Sequence, residues 1–143
     1  MPYKYLEDVA IADVAFEAWG ATLEELFKAA ADATVNLMVA DLSTITSHEQ
    51  RTIELEDESL DLLLFNFLQE LIFYKDAQKL LLRVGEIQIE RTNGSFKLRA
   101  EAHGEELNPA KHELGVDVKA VTLHRFQVQE TPEGWQANVI LDV

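Results

Sequence analysis

Ile87-Gln88-Ile89-Glu90-Arg91-Thr92-Asn93-Gly94-Ser95-Phe96-Lys97-Leu98-Arg99-Ala100 holds two strand-like runs separated by Asn-Gly. That dipeptide supplies the positive-φ residues of a tight two-residue turn, so the stretch predicts an antiparallel hairpin. Downstream, Val116, Val118, Ala120, Phe126 and Val128 share one parity, and after Pro132-Glu133-Gly134 a second set, Trp135, Ala137, Val139 and Leu141, shares another strand face. These runs predict a second antiparallel hairpin. Upstream, Val14, Phe16 and Ala18 alternate with Asp13, Ala15 and Glu17. A period of two puts Asp13 on the face opposite Val14 and Phe16.

Two helices complete the pattern. Thr22-Leu23-Glu24-Glu25 has the capping-box spacing, and Leu23, Leu26, Phe27, Ala30, Thr34, Leu37 and Met38 recur at helical intervals, predicting a helix over 23–39. A second helix begins near Asp57 or Ser59, where Leu60, Leu63, Leu64, Phe67, Leu68, Leu71 and Ile72 form a stripe wide enough for burial on much of its circumference. Strand, helix, strand, helix and then several strands predict an α+β fold, a mainly antiparallel β-sheet packed with two α-helices. With 143 residues and no linker, repeat or low-complexity stretch, residues 1–143 are expected to form a single compact domain.

Composition narrows the chemistry. The chain has no cysteine, which excludes disulfides, thiolate metal sites and thiol nucleophiles, and fits a reducing compartment. Met1 to Asp8 lacks the basic and apolar regions of a signal peptide, and no apolar run is long enough for a membrane span. A cytoplasmic protein without membrane association is the expectation. A formal net charge of −14 opposes attraction to phosphate backbones, so strong direct nucleic-acid binding is not expected. There is no GxSxG, P-loop or GxGxxG, and no histidine pair at helical spacing.

The residues that stand out are acidic. Asp142 is followed by Val143 and its α-carboxylate at the end of an apolar strand-like run, and Asp13 lies within another such run, where a charge is costly unless paired, hydrated or bound to a cation. The oxygen donors of Asp13, Asp142 and Val143, with no evident basic partner, suggest a hard-metal site, for which calcium, magnesium or manganese is favoured over zinc or copper. Lys119, flanked by Val118, Ala120 and Val121, fits either a solvent-facing strand lysine or a group that neutralises charge or donates to a phosphate. His112 follows Asn108-Pro109 and fits either a surface loop or a functional position. His124 shares the parity of Val118 and Ala120, which favours a hydrogen-bonded histidine at the core edge over a ligand or an acid–base group.

Short segments in a fixed order carry a resemblance: Ala12-Asp13-Val14, Glu17-Ala18-Trp19-Gly20, Thr22-Leu23-Glu24-Glu25, Asn36-Leu37-Met38, Leu68-Gln69-Glu70-Leu71, His112-Glu113-Leu114-Gly115, Val118-Lys119-Ala120-Val121-Thr122, Gly134-Trp135 and Leu141-Asp142-Val143. Together they cover nearly the whole chain, which resembles the archease family. The resemblance implies a small accessory protein, not itself a ligase. Its partner would be an RtcB-type RNA ligase of tRNA splicing and RNA repair, whose guanylylation and multiple turnover it promotes, with RNA contacted only through the ligase. It also implies Asp13, Asp142 and the Val143 carboxylate as metal ligands, with Lys119, and His112 in its shared segment, serving ligase activation. One departure matters: where many archeases have Asp-His-Thr-Ala-Asp, this chain has Val9-Ala10-Ile11-Ala12-Asp13. Weaker metal binding, or a site completed by the ligase, is the expectation. Glu7 or Asp8 could substitute only through a bulge, since a one-residue slip sends a side chain to the other face.

Two other readings remain open on the residues themselves. One is a metal-assisted hydrolase using Asp13 and Asp142, assisted by Lys119 or His124, though no nucleophile elbow or nucleotide loop accompanies them. The other is a metal-free adaptor whose acidic surface meets a basic protein.

Overall fold

The structure is a computed structural model and describes residues 2–6 and 13–143. Among these residues the order is β1 (Tyr3–Leu6), β2 (Asp13–Gly20), α1 (Leu23–Met38), a short 3₁₀ turn, β3 (Glu49–Asp57), α2 (Leu60–Gln78), β4 (Leu80–Thr92), β5 (Ser95–Glu106), β6 (Ala120–Thr131) and β7 (Gly134–Asp142). The predicted α+β class holds, but the strands divide into two antiparallel sheets, ordered β1-β2-β7-β6 and β3-β5-β4. Among the described residues no helix is long and apolar enough to cross a membrane.

Local chemistry sets the element ends. The Thr22 hydroxyl accepts from the Glu25 N–H at 3.1 Å, while the Glu25 carboxylate accepts from the Ala21 N–H at 2.8 Å, so the capping box reaches back one residue beyond the cap. Ser59 is the N-cap of α2. In the β4–β5 turn Asn93 and Gly94 have φ of 53° and 80°, the mirror-image turn that matches strand twist.

Both helices contact both sheets, and one cluster of buried side chains joins them. Phe16, Ala18, Ala137, Val139, Leu141 and Val121 line the inner face of the first sheet, while Leu98, Ala100 and Ile53 line that of the second. Leu63, Leu64, Phe67, Leu68, Leu71 and Ile72 of α2 are all buried, as its broad stripe predicts. The other faces of the two sheets point outward.

Two expectations about β6 fail for one reason. Thr122 pairs with Ile140 and Gln127 with Asn138, so residues 123–126 stand opposite the single position Val139, and Arg125 turns into the left-handed region at φ 54°. This wide bulge inserts an odd number of extra residues and reverses the parity beyond it. Ala120 therefore faces outward with Asp142, whereas Val128 faces the core with Ala137. The predicted shared face of Ala120, Phe126 and Val128 does not exist, and His124 is exposed on the bulge instead of lying at the core edge. Val116 and Val118 also fall outside the strand, in the loop that precedes it.

Candidate functional site

The first sheet brings the predicted acidic residues together. Asp13 of β2 pairs with Asp142 of β7, which pairs with Ala120 of β6. Directly opposite residues in an antiparallel ladder project to the same face, so the two carboxylates stand side by side on the outer face. Among the described residues no lysine or arginine forms an ion pair with either. The next row along is Ala15, Ile140 and Thr122, in which Ala15 and Ile140 are buried although they point away from the core. The row after it returns to polar residues, Glu17, Asn138 and Gln127.

Lys119 lies beside this row, a proximity that sequence spacing does not reveal. It precedes β6 and is exposed, so it is not the strand residue that alternation implies. Its backbone N–H donates to the Asp142 carbonyl at 2.8 Å, one step before the Ala120–Asp142 pairing begins. Lys75 of α2 holds the approach to this point: its buried ammonium donates to the Val118 carbonyl at 2.7 Å and to the Asp117 carboxylate. Burial disfavours the Lys75 charge, but contacts with Asp117 and Asp76 outweigh it and raise the pKa.

The same loop closes the end of α1. Gly115 and Val116 donate backbone N–H groups to the carbonyls of Met38 and Leu37 at 2.8 and 2.9 Å, satisfying acceptors that a helix C-terminus leaves open. The Ala40 N–H donates in turn to Glu113 at 2.9 Å. A Cβ on Gly115 would sit 2.2 Å from the Leu37 carbonyl oxygen, so the approach requires glycine. The segments Asn36-Leu37-Met38 and His112-Glu113-Leu114-Gly115 thus form one joint.

His112 departs from the surface-loop expectation, since it is buried. Its Nδ1 accepts from the Asn108 N–H at 2.9 Å and its Nε2 meets Glu105 Oε2 at 3.0 Å. These contacts assign the neutral tautomer with the proton on Nε2, donated to the carboxylate. Lys111 Nζ and the Thr46 N–H reach the same oxygen at 2.7 and 2.8 Å. The Lys111 contact, then the Thr46 and His112 hydrogen bonds, hold the Glu105 carboxyl down at about 2 despite its burial. Nothing in the pattern of the sequence linked Glu105 to His112, although a glutamate and a histidine seven positions apart across a Pro-containing loop were available to be paired.

The donor chemistry fits a hard cation. Two facing carboxylates repel unless a positive charge lies between them, and both offer oxygen only. Among the described residues no group of three or more His, Asp or Glu side chains is arranged to hold a metal ion, so water, the Val143 carboxylate or a partner's atoms would have to complete the shell. Val143 itself is partly buried with its side chain packed on the core. Glu7, Asp8 and the Val9-Ala10-Ile11-Ala12 departure lie outside the described residues.

Comparison with known proteins identifies the family. The model of the archease protein family matches residues 3–143. The protein archease of Pyrococcus abyssi is 39% identical over 133 residues, covering 92% of this chain and 93% of its own. That of Archaeoglobus fulgidus is 33% identical over 146 residues, covering 100% of both. The solution structure of Methanobacterium thermoautotrophicum protein 1598 superposes with a TM-score of 0.85 at 34% identity, covering 99% of each chain. A Thermotoga maritima archease, described as a possible chaperone, shares the fold with a TM-score of 0.61 at 18% identity over 94% of this chain and 93% of that one. On the full-length family match and these relatives, the chain belongs to the archease family.

Proposed function

We infer that this chain activates an RtcB-type RNA ligase, promoting guanylylation of the ligase and its repeated turnover while contacting RNA only through that partner. The reading rests on family membership and on one observation: the register that sets Asp13 and Asp142 side by side, with the Lys119 backbone on the Asp142 carbonyl. Asp13, Asp142 and the Val143 carboxylate hold a divalent cation, calcium in the first instance and magnesium or manganese otherwise, by the oxygen chemistry of the donors. When bound, such an ion neutralises triphosphate oxygens during nucleotidyl transfer. Lys119, exposed at the edge of the row, donates on this reading to a phosphate presented by the ligase. His112 serves the same site indirectly, by fixing through Glu105 the loop that carries Lys119. The net charge of −14 favours a basic protein surface over RNA as the direct contact, and the cytoplasm is the compartment this role implies.

The test is ligation of a defined broken RNA in excess over ligase, with and without this protein, together with the yield of guanylylated ligase. Product beyond one turnover per ligase, and faster guanylylation, are expected only when the protein is present. Equal product and equal guanylylation without it would refute the reading.

A further inference from the structure

We propose that Thr122 is a positioning residue of the cation site, its hydroxyl hydrogen-bonding a water molecule that the cation coordinates; the inference rests on the Asp13–Asp142 reading above. Thr122 Oγ1 is buried and, among the described residues, has no hydrogen-bond partner. A buried hydroxyl without a partner is costly, and native structures rarely leave one without a bound water or ion to satisfy it. Its surroundings sharpen the point. Thr122 pairs with Ile140, which pairs with Ala15, and both of these outward-facing neighbours are buried and apolar.

The unused polar capacity of that row therefore sits next to the acidic row on the same face, two residues along β6 from Ala120 and diagonal to Asp142. Diagonal neighbours across an antiparallel pair lie about 7–8 Å apart, too far for two short side chains to meet but close enough for one intervening water, and because Thr122 is only partly buried a turn about its χ1 brings the hydroxyl out to that water. A hydroxyl can donate to or accept from such a water, and a hard cation with few protein donors keeps several waters. Thr122 would thus act on the shell of the ion, orienting a coordinated water, while the carboxylates supply the charge.

The experiment compares wild type, Thr122→Val, Thr122→Ala and Thr122→Ser by calorimetric titration with calcium chloride, and by melting in a chelator and in calcium. In the chelator Thr122→Val is expected to melt at or above wild type, because it keeps the shape and removes an unsatisfied hydroxyl. Outer-shell partners are worth about 10–100-fold in metal affinity, so calcium binding should weaken at least about tenfold in Thr122→Val and Thr122→Ala and stay within about twofold in Thr122→Ser. A purely structural threonine would leave calcium affinity unmoved. If wild type binds calcium and the valine and alanine variants bind it equally well, the assignment of Thr122 is overturned alone. Wild type that binds no calcium overturns it together with the Asp13–Asp142 reading.

Discussion

The outer faces of the two sheets handle charge in opposite ways. On the second sheet Lys97 stands between Glu56 and Glu90 in register, and Arg99 pairs with Glu54 and reaches Glu101 at 3.1 Å. Glu101 also accepts from Gln50 and Thr52 at 2.8 and 2.9 Å. Opposite signs face each other along the central strand, so each of these carboxylates has a cation beside it. On the first sheet Lys4 and Glu17 pair at 3.5 Å, but Asp13 faces Asp142, like against like. Cross-strand charges are worth about 0.2–1 kcal/mol and act against folding when their signs match. A fold that balances one sheet in this way and leaves two carboxylates facing each other on the other marks the second place as one that works with something else.

The largest expected effect is at that row. Asp13→Asn and Asp142→Asn should each lower ligase stimulation at least about tenfold, since removing a direct ligand should cost no less than the 10–100-fold seen for outer-shell partners. Lys119→Ala should also reduce stimulation, with a stability change within about 0.5 kcal/mol, as expected of an exposed side chain. In a chelator the asparagine variants should gain about 0.2–1 kcal/mol, because the facing charges no longer repel. Denaturant titration in chelator and in calcium reads both signs. Asparagine variants that lose stability in chelator while stimulating the ligase normally would remove the contrast between the faces.

Next in size is Lys75→Met. It leaves the Val118 carbonyl without its buried donor and Asp117 without its partner, a loss of about 1–3 kcal/mol by denaturant titration. Because Val118 precedes Lys119, amide exchange at the Lys119 N–H should speed up more than at Val139 in the middle of the β2–β7 ladder. Equal acceleration at both would make Lys75 an ordinary core residue with no particular hold on the site.

The pH dependence of Glu105 gives a smaller effect. Its pKa falls from 4.5 to about 2 in the folded chain, so its contribution is fully present above 4.5 and is lost as pH falls toward about 2. Glu105→Gln should destabilise the protein on the order of 1 kcal/mol at neutral pH, after allowing for solvent screening, and should flatten the acid limb of the stability curve between those values. Thermal melts across that range would show it. An unchanged acid limb would mean that Lys111 and His112 do not depend on the Glu105 charge.

What could be read in advance follows the range of the interactions. The Asn93-Gly94 turn, the Thr22 cap and the stripes of α1 and α2 are local signals, and each survives in the structure. The β6 bulge has no such signal: Leu123-His124-Arg125-Phe126 contains neither Gly nor Pro, and Arg125 takes a positive φ without the residue type that usually announces one. Phe126 packs edge-on against Phe65 with ring centres 5.8 Å apart, and the Val121 and Val128 N–H groups donate to Gln69 and Asp61, so α2 sets the path of β6. For the site, the aspartates were visible because they interrupt apolar runs. The Lys75 anchor and the Glu105–His112 contact were not, because both depend on residues separated in sequence and joined only by tertiary folding.

The smallest expected effect is also the control that the comparison needs. Arg99 and Glu54 form an ion pair on the outer face of the second sheet, with side chains 57% and 65% exposed. Exposed pairs are worth about 0–1 kcal/mol and weaken as salt rises. A cycle of Arg99→Gln, Glu54→Gln and the double variant should therefore give a coupling below about 1 kcal/mol that fades in high salt. Ligase stimulation should be unchanged in all three, because on this face carboxylates stand beside cations and not against each other. Loss of stimulation in the single variants with recovery in the double would show that the balance itself is recognised, and the functional contrast between the two sheets would then lie elsewhere than in unpaired charge.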